Sequence, residues 1–246
     1  MKLEFTIPSQ IKAAQERHDP LIIPVGTIEY HGPHCAYGCD GLIAEGLTER
    51  LAKERRIVIA PTIWYSPTSY AVAGMDSGSI HVDCDCFESY VAYILKHLVY
   101  SGWKNIYMLI HHQYEDENLL PMTLACMKAG KKVIFEYLET TRGLGWWGKK
   151  EFETFYEDLQ AADNPWNWIT VLPCMSKRAQ KATGYDHAGK YESSLLMALY
   201  PEAVEIERLP EGDEWYIQTA KDASVELGNE MIKLSMEDLR ERIQSR

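Results

Sequence analysis

Two carboxylates and an imidazole follow the first apolar run of the sequence. The run Leu21–Val25 leads into a glycine-rich segment that contains Glu29, His31 and Asp40. Glu29 and His31 are two residues apart, so in extended backbone their side chains point to the same side. Carboxylate and imidazole together suit Zn²⁺, Mn²⁺ or Fe²⁺. The pattern favours a metal site; a solvated Glu29 and an Asp40 that only stabilises a helix start are the alternatives.

A second polar cluster follows the apolar run Ile106–Ile110. It begins with His111 and His112 and continues through the acidic residues Glu115, Asp116 and Glu117. In a parallel sheet this loop can lie beside the loop that follows the first strand, because polar groups collect at the carboxyl ends of the strands. Glu29, His31 and Asp40 would then surround two metal ions together with one histidine and one acid of this loop, and a carboxylate shared by ions about 3.5–4 Å apart is common in metal-dependent hydrolases.

A third cluster precedes the apolar segment Leu195–Leu199. It contains His187, Glu192, Ser193 and Ser194. A serine that caps the following helix, with Glu192 near its amino end, would explain part of this cluster without any chemistry. His187 is not explained in that way. His187 and Glu192 together would form a proton shuttle beside a metal-bound water.

Apolar runs alternate with amphipathic segments along the chain, which predicts strands that alternate with helices. The apolar spacing predicts helices near residues 41–56, 87–98 and 119–130. The predicted strands are Leu21–Val25, Ile57–Ala60, Ile106–Ile110 and Val133–Tyr137. This order is typical of an α/β fold, a single three-layer α/β/α domain with a mostly parallel central sheet. Pro24 would place the first strand at a sheet edge or a bulge.

The charge and composition of the chain argue against nucleic-acid-binding and membrane proteins. The chain has 246 residues, 36 acidic against 25 basic residues, and a net charge of −11. Such a surface repels nucleic acids and anionic membranes, and no run approaches the about 20 apolar residues of a membrane span. The segment Met1–Thr6 does not resemble a signal peptide, so a cytoplasmic location is expected. We expect one domain over residues 1–246, with residues 140–168 as a lid or insertion.

The six cysteines are too few for a disulfide framework in a chain of this length. The pairs Cys35/Cys39 and Cys84/Cys86 suggest zinc binding, but neither has the two-residue gap of a usual zinc knuckle. Reduced, partly buried thiols are the simpler interpretation. A nucleophilic cysteine close to His31 and His34 is a further alternative.

The segment Pro24–Asp40 resembles the creatininase (creatinine amidohydrolase) family. That family has the pattern P-x-G-[ST]-x-E-x-H-G-x-H, followed by G-x-D. The segment His187–Leu195 resembles the family pattern H-[AG]-G-x-x-E-[TS]-S-L. The order of strands and helices also agrees, so the resemblance covers roughly residues 21–204.

The resemblance implies a centre with two divalent metal ions on a parallel α/β core, usually in a homohexamer. It implies that Glu29 binds one metal, His31 binds the other and Asp40 bridges them. The next ligand would be His112, although Ile110 and His111 stand where the family has Asn and Gly. A further glutamate ligand would be Glu117, or Glu115 if the loop has a shorter insertion. His187 and Glu192 match the catalytic pair, and Glu192 is a further candidate for metal contact.

The resemblance also sets expectations for the substrate, a small cyclic molecule. Family members act on cyclic amides, formamides and cyclic polyol ketones, with a metal-bound hydroxide that attacks the carbonyl and His187 as proton donor to the leaving group. We expect a cyclic amide; the alternatives are C–C cleavage of an inositol-derived diketone (3-dehydro-scyllo-inosose type) and a non-catalytic metal-binding relative. Thr183 stands where creatininase has a tryptophan. Four other tryptophans are candidates to roof the pocket, with core packing as the alternative: Trp146, Trp147, Trp166 and Trp168.

Overall fold

A four-stranded parallel sheet forms the centre of the protein. The computed structural model describes residues 1–112, 120–157, 159 and 163–244. The strands are β1 (Leu21–Val25), β2 (Val58–Ile59), β3 (Ile106–Ile110) and β4 (Ile169–Pro173), and they lie in the order β2-β1-β3-β4. The register aligns Val25 with Ile110 and Ile110 with Pro173. The carboxyl ends of β1, β3 and β4 therefore lie level with one another. The polar clusters that follow β1 and β3 in the sequence begin at this end of the sheet.

Helices cover both faces of this sheet, which confirms the predicted three-layer α/β architecture. Alternate residues of β1 separate the two faces: Leu21, Ile23 and Val25 pack in one core cluster, and Ile22 packs in the other. The first cluster is covered by α3 (Cys84–Tyr100) and α4 (Pro121–Arg142), and the second by α2 (Cys39–Glu54), α6 (Lys190–Leu199) and α7 (Val225–Arg242). The two further α-helices of the described residues are α1 (Pro8–Glu16) and α5 (Lys177–Thr183).

The predicted strand Val133–Tyr137 is wrong, because these residues lie inside α4. The buried side chains Cys126, Ala129 and Val133 follow helical spacing, whereas Phe135 is exposed. Gly130 does not end the helix. A Cβ at Gly130 would lie 2.9 Å from Ile169 Cγ2, so this glycine permits close packing of α4 on β4. A short apolar run within a long helix has the same sequence pattern as a buried strand.

Pro24 lies in β1, between β2 and β3, and not at an outer edge of the sheet. The carbonyl groups of Ile22 and Pro24 accept hydrogen bonds from Ala60 and Ile63, which come from the β2 side. The nitrogen of Pro24 faces the same side, beyond the end of β2 at Ile59. The strand tolerates proline because its neighbour has already ended there.

The segment predicted as a lid or insertion begins within α4 and continues in single 3₁₀ turns, Trp146–Gly148, Lys150–Phe152 and Pro165–Asn167. Its role stays a prediction. Among the helices in the described ranges, none is both long enough and apolar enough to pass through a lipid bilayer.

Candidate metal centre

The loop after β1 and the start of α2 are packed tightly against each other. A Cβ at Gly26 would lie 2.2 Å from the backbone nitrogen of Gly41, so only glycine permits this approach. Asp40 is in the first turn of α2 and is thereby brought beside the loop that contains Glu29 and His31. All three side chains are fully buried. The glycine therefore has a direct part in assembling the cluster.

Glu29, Asp40 and His112 form the first group of candidate ligands. Their ligand atoms lie within 4.8 Å of one another. His112 Nδ1 is 2.9 Å from Asp40 Oδ2 and 3.5 Å from Glu29 Oε2. The loops after β1 and β3 therefore converge, as the strand-end argument predicts.

The other oxygen of Asp40 faces a second group. His31 Nε2 lies 3.5 Å from Asp40 Oδ1 and 3.5 Å from Glu192 Oε2. His31 Nδ1 is 2.9 Å from the carbonyl oxygen of Glu29 and donates to it, so in the neutral ring the lone pair is on Nε2. Asp40 thus presents one oxygen to each of two imidazoles and belongs to both groups of candidate ligands.

Several atoms of this cluster are buried and lack a hydrogen-bond partner among the described residues. They are both carboxylate oxygens of Glu29, His31 Nε2 and Asp40 Oδ1. Burying unpaired carboxylate oxygens is costly unless a cation neutralises them. Two imidazoles and two carboxylates are also a donor set that zinc and manganese accept. The residues present therefore fit divalent metal ions.

The close packing of buried acids and imidazoles shifts their pKa values. Burial raises the pKa of Glu29 to about 7. Burial opposes the charged form of His31, but Glu192 and Asp40 outweigh it and raise its pKa to about 10. The pKa of His112 is also raised, since Asp40 and Glu29 outweigh the effect of burial. The metal-free cluster therefore retains protons at neutral pH that metal ligands must lose.

We expect metal binding to release protons and to strengthen as pH rises. Each proton displaced from His31, His112 or Glu29 should raise the apparent association constant by up to about tenfold per pH unit, below the pKa of that group. Calorimetric titration of zinc into the metal-free protein, in buffers of different ionisation enthalpy between pH 6 and 8, measures this release. Binding heats that do not depend on the buffer would contradict the prediction.

His187 and Glu192 lie beside the second group. His187 Nε2 is 3.1 Å from the carbonyl oxygen of Tyr30 and donates to it, so Nδ1 carries the lone pair and lies 4.0 Å from Glu192 Oε2. Glu192 Oε2 also accepts the backbone N–H of Ala188 at 2.7 Å. Burial and the nearby His31 lower the pKa of His187 to about 4. A neutral imidazole with an accepting Nδ1 at a metal cluster can take up a proton and return it.

His111 is a site residue whose place the sequence does not predict. Its Nε2 lies 3.0 Å from Glu192 Oε1, and Asp40, His111 and Glu192 form another compact group of potential ligands. Strict alternation along β3 would direct His111 away from His112, and the family resemblance places a glycine here. The signal that the sequence does offer is the pair of histidines directly after an apolar strand.

Replacement of His111 by glutamine is expected to lower kcat by about 10–100-fold, the usual cost when a residue that orients a site is lost. The contact at Glu192 Oε1 would be weakened, but the ligand groups around Glu29 and His31 would stay. Steady-state kinetics with elemental analysis of the same sample checks both parts. A kcat equal to that of the wild type would show that His111 does not position Glu192.

The four candidate tryptophans are not brought to this cluster. Trp166 and Trp168 directly precede β4, so they lie at the amino ends of the strands, whereas the cluster lies at the carboxyl ends. Trp168 and Trp146 are buried, and Trp146 packs against Phe152 and Phe155. Trp147 is 63% exposed. Their role in the pocket stays a prediction, as does that of Glu115 or Glu117, which lie outside the described residues.

The cysteines are all free thiols. Burial raises the pKa of Cys35 to about 12 and raises that of Cys39 well above its usual value. A nucleophilic cysteine requires the opposite shift, toward the thiolate. The histidines near these thiols instead face Glu29, Asp40 and Ser193.

Comparison with known proteins relates most of the chain to two hydrolases. The chain is 26% identical over 212 residues to 3-dehydro-scyllo-inosose hydrolase from Thermotoga maritima, a match that covers 85% of this chain and 57% of that protein. It is 22% identical over 196 residues to creatinine amidohydrolase from Pseudomonas putida, covering 77% of this chain and 67% of that protein. The chain thus spans little more than half the length of the first relative.

Solved structures share the fold at low identity. A crystal structure of creatinine amidohydrolase (creatininase) superimposes with a TM-score of 0.72 at 17% identity, over 100% of this chain and 98% of that one. A manganese form of creatininase and a Zn–Zn form of a creatininase mutant each give a TM-score of 0.69, at 17% and 18% identity respectively, over 98% of both chains. The family model for creatininase (creatinine amidohydrolase) matches residues 5–241. The chain therefore belongs to the creatininase family.

Proposed function

We propose that this protein is a hydrolase with two divalent metal ions that opens a small cyclic amide. The observation that carries the proposal is the placement of Asp40 between His112 and His31, with one carboxylate oxygen toward each imidazole. The unpaired, buried oxygens of Glu29 support a cation in the same place. The manganese and Zn–Zn forms of creatininase support Zn²⁺ or Mn²⁺, and Fe²⁺ also suits the donor set.

Five side chains would hold the two ions. Glu29, Asp40 and His112 would bind the first, and His31 and Asp40 the second. A glutamate that follows β3 in the sequence, Glu117 or Glu115, would be the further ligand. The ions, when bound, polarise the substrate carbonyl and lower the pKa of the attacking water.

His187 would transfer the proton. Because the carbonyl of Tyr30 occupies its Nε2–H, Nδ1 is the atom that accepts a proton as water attacks. The same atom would then protonate the leaving nitrogen. Glu192, held by the N–H of Ala188 and by His111, would stabilise the imidazolium that forms between these steps. Glu192 thus favours proton uptake by His187 without leaving its own position.

A second candidate function is hydrolytic C–C cleavage of an inositol-derived cyclic diketone. The observation that favours it is the 26% identity to 3-dehydro-scyllo-inosose hydrolase. The same residues would serve, but the proton would pass to carbon instead of nitrogen. A non-catalytic metal-binding relative is the weakest candidate, because His187 and Glu192 are both in place beside the metal ligands.

The test combines elemental analysis with a substrate screen. We expect about two divalent ions per chain and the release of ammonia or an amine from a lactam, a formamide or a related cyclic amide. Formation of a linear keto acid from an inosose would select the second candidate function. Full activity after exhaustive chelation would overturn both.

The assembly is also a proposal. We expect a homo-oligomer, a hexamer by family resemblance, in the cytoplasm. Sedimentation velocity of the purified protein checks the oligomer, and a stable monomer at micromolar concentration would contradict it.

A further inference from the structure

A cavity of about 570 Å³ opens beside His187. Its walls include Ala71, Val72, Tyr185, Trp215 and Tyr216. The proton-transfer residue of the proposed function therefore borders a space large enough for a small ring compound. The wall also includes Asp186, Tyr191 and Thr219, and most of it is apolar or aromatic.

Trp215 and Tyr216 lie on a 3₁₀ turn, Trp215–Ile217, that is anchored at both ends. At one end, Glu214 accepts a hydrogen bond from the hydroxyl of Tyr30 at 2.9 Å. At the other end, Ile217 is fully buried. A Cβ at Gly32 would lie only 2.9 Å from Ile217 Cγ2, so this end packs directly on the metal-binding loop. The position of the turn is thereby tied to that of the metal ligands.

The two aromatic rings extend from His187 outward. The ring of Tyr216 packs edge-on against His187 with centroids 5.2 Å apart, and Trp215 packs edge-on against Tyr216 at 5.9 Å. Trp215 is 85% exposed, so most of its indole surface is available to a ligand. Thr183 stands where creatininase has a tryptophan. Its hydroxyl donates a hydrogen bond to the carbonyl oxygen of Ala179 within α5. The aromatic surface beside His187 comes from the turn.

The polar groups of the cavity wall are largely occupied. The carboxylate of Asp186 accepts the backbone N–H groups of Tyr191 and Glu192 at 3.0 Å. The hydroxyl of Thr219 accepts the N–H of Lys190 at 3.1 Å. The hydroxyl of Tyr216 has no hydrogen-bond partner among the residues that the structure describes. Burial and the charge of Glu214 raise its pKa to about 12, which keeps it a hydrogen-bond donor.

We propose that Trp215 and Tyr216 bind the ring of the substrate and select a planar cyclic amide over a polyhydroxylated ring. This inference rests on the proposed function. A flat ring stacks well on exposed aromatic faces and needs few hydrogen bonds there. A ring with several hydroxyl groups would leave some of them against carbon surface, and each hydroxyl that loses its water there without a new hydrogen bond weakens binding.

Binding measurements on the metal-loaded protein test the proposal. The probes are creatinine, hydantoin and succinimide as planar cyclic amides, and scyllo-inosose as the polyol ring, each titrated by calorimetry. We expect saturable binding of at least one planar amide and weaker binding of scyllo-inosose. Trp215→Ala should weaken amide binding at least tenfold, and Tyr216→Phe about three- to tenfold.

The matched control is Phe5→Ala. Phe5 is 82% exposed and lies on another three-residue 3₁₀ turn, Leu3–Phe5, so its loss removes a similar exposed aromatic surface. Its variant should bind the amide as the wild type does. Wild-type affinity in Trp215→Ala would overturn the proposal, as would tighter binding of scyllo-inosose or no saturable binding of any planar amide.

Metal content separates this proposal from the proposed function. If Trp215→Ala binds the amide normally and the protein holds two ions, the aromatic wall is wrong and the hydrolase stands. If the wild-type protein binds no divalent ion, the proposed function fails, whatever the ring-binding result.

Discussion

Replacement of Asp40 by alanine is expected to abolish metal binding and to lower kcat/KM by more than about 10³-fold. Asp40 faces His112 with one oxygen and His31 with the other, so in the proposed centre its loss would remove a ligand from both ions at once. Loss of a residue that only orients a ligand lowers metal affinity or activity about 10–100-fold, and loss of a shared ligand should lower both more. Elemental analysis and the kinetics of the best screened substrate measure the two effects.

Asp238→Ala is the matched control for this variant. Asp238 is also a buried carboxylate, but it lies on α7 and pairs with Arg178 and Ser176. Its loss should lower the thermal midpoint without changing the metal content, because none of its partners belongs to the cluster. If the Asp40 variant kept two ions while folded, the shared-ligand arrangement would be refuted.

The position of the cluster follows from rules that act over short stretches of sequence. Buried apolar runs predict β1 and β3, and parallel strands bring their following loops to one edge. Glu29, His31 and His112 therefore come together for reasons visible in the sequence. Gly26 adds a steric reason, since a side chain there would collide with Gly41 and displace Asp40.

The parts that sequence reasoning missed depend on contacts between distant segments. Val133–Tyr137 has the apolar content of a strand, and only its packing as one side of α4 reveals a helix. The wall formed by Trp215 and Tyr216 carries no motif. Its place depends on the contacts of Glu214 with Tyr30 and of Ile217 with the loop at Gly32. No local periodicity specifies such contacts.

The tryptophans illustrate the same difference. Four tryptophans in one segment predict aromatic surface for a pocket, and the structure places Trp166 and Trp168 directly before β4. A tryptophan can satisfy burial at any well-packed position, so its presence alone does not locate a site. By contrast, a buried histidine beside two acids has few stable roles without a cation or a proton to transfer.

Replacement of His187 by alanine is expected to lower kcat by about 10²–10⁴-fold, the usual contribution of a positioned acid or base. KM and the metal content should change little, because the groups around Asp40 retain Glu29, His31 and His112. Burial and His31 keep His187 neutral at pH 7, which is the form that can accept a proton at Nδ1. Kinetics and elemental analysis on the same preparation separate the proton-transfer role from metal binding.

Two further results decide whether His187 transfers a proton or only fills space. Added imidazole should restore part of kcat in the alanine variant, because it can enter the cavity left beside Tyr216 and supply the missing base. The matched control is His34→Gln, which removes another buried histidine whose Nε2 contacts Ser193 and not the metal cluster. That variant should not respond to imidazole. An alanine variant with normal kcat, or one that loses its metal ions, would show that proton transfer depends on another residue.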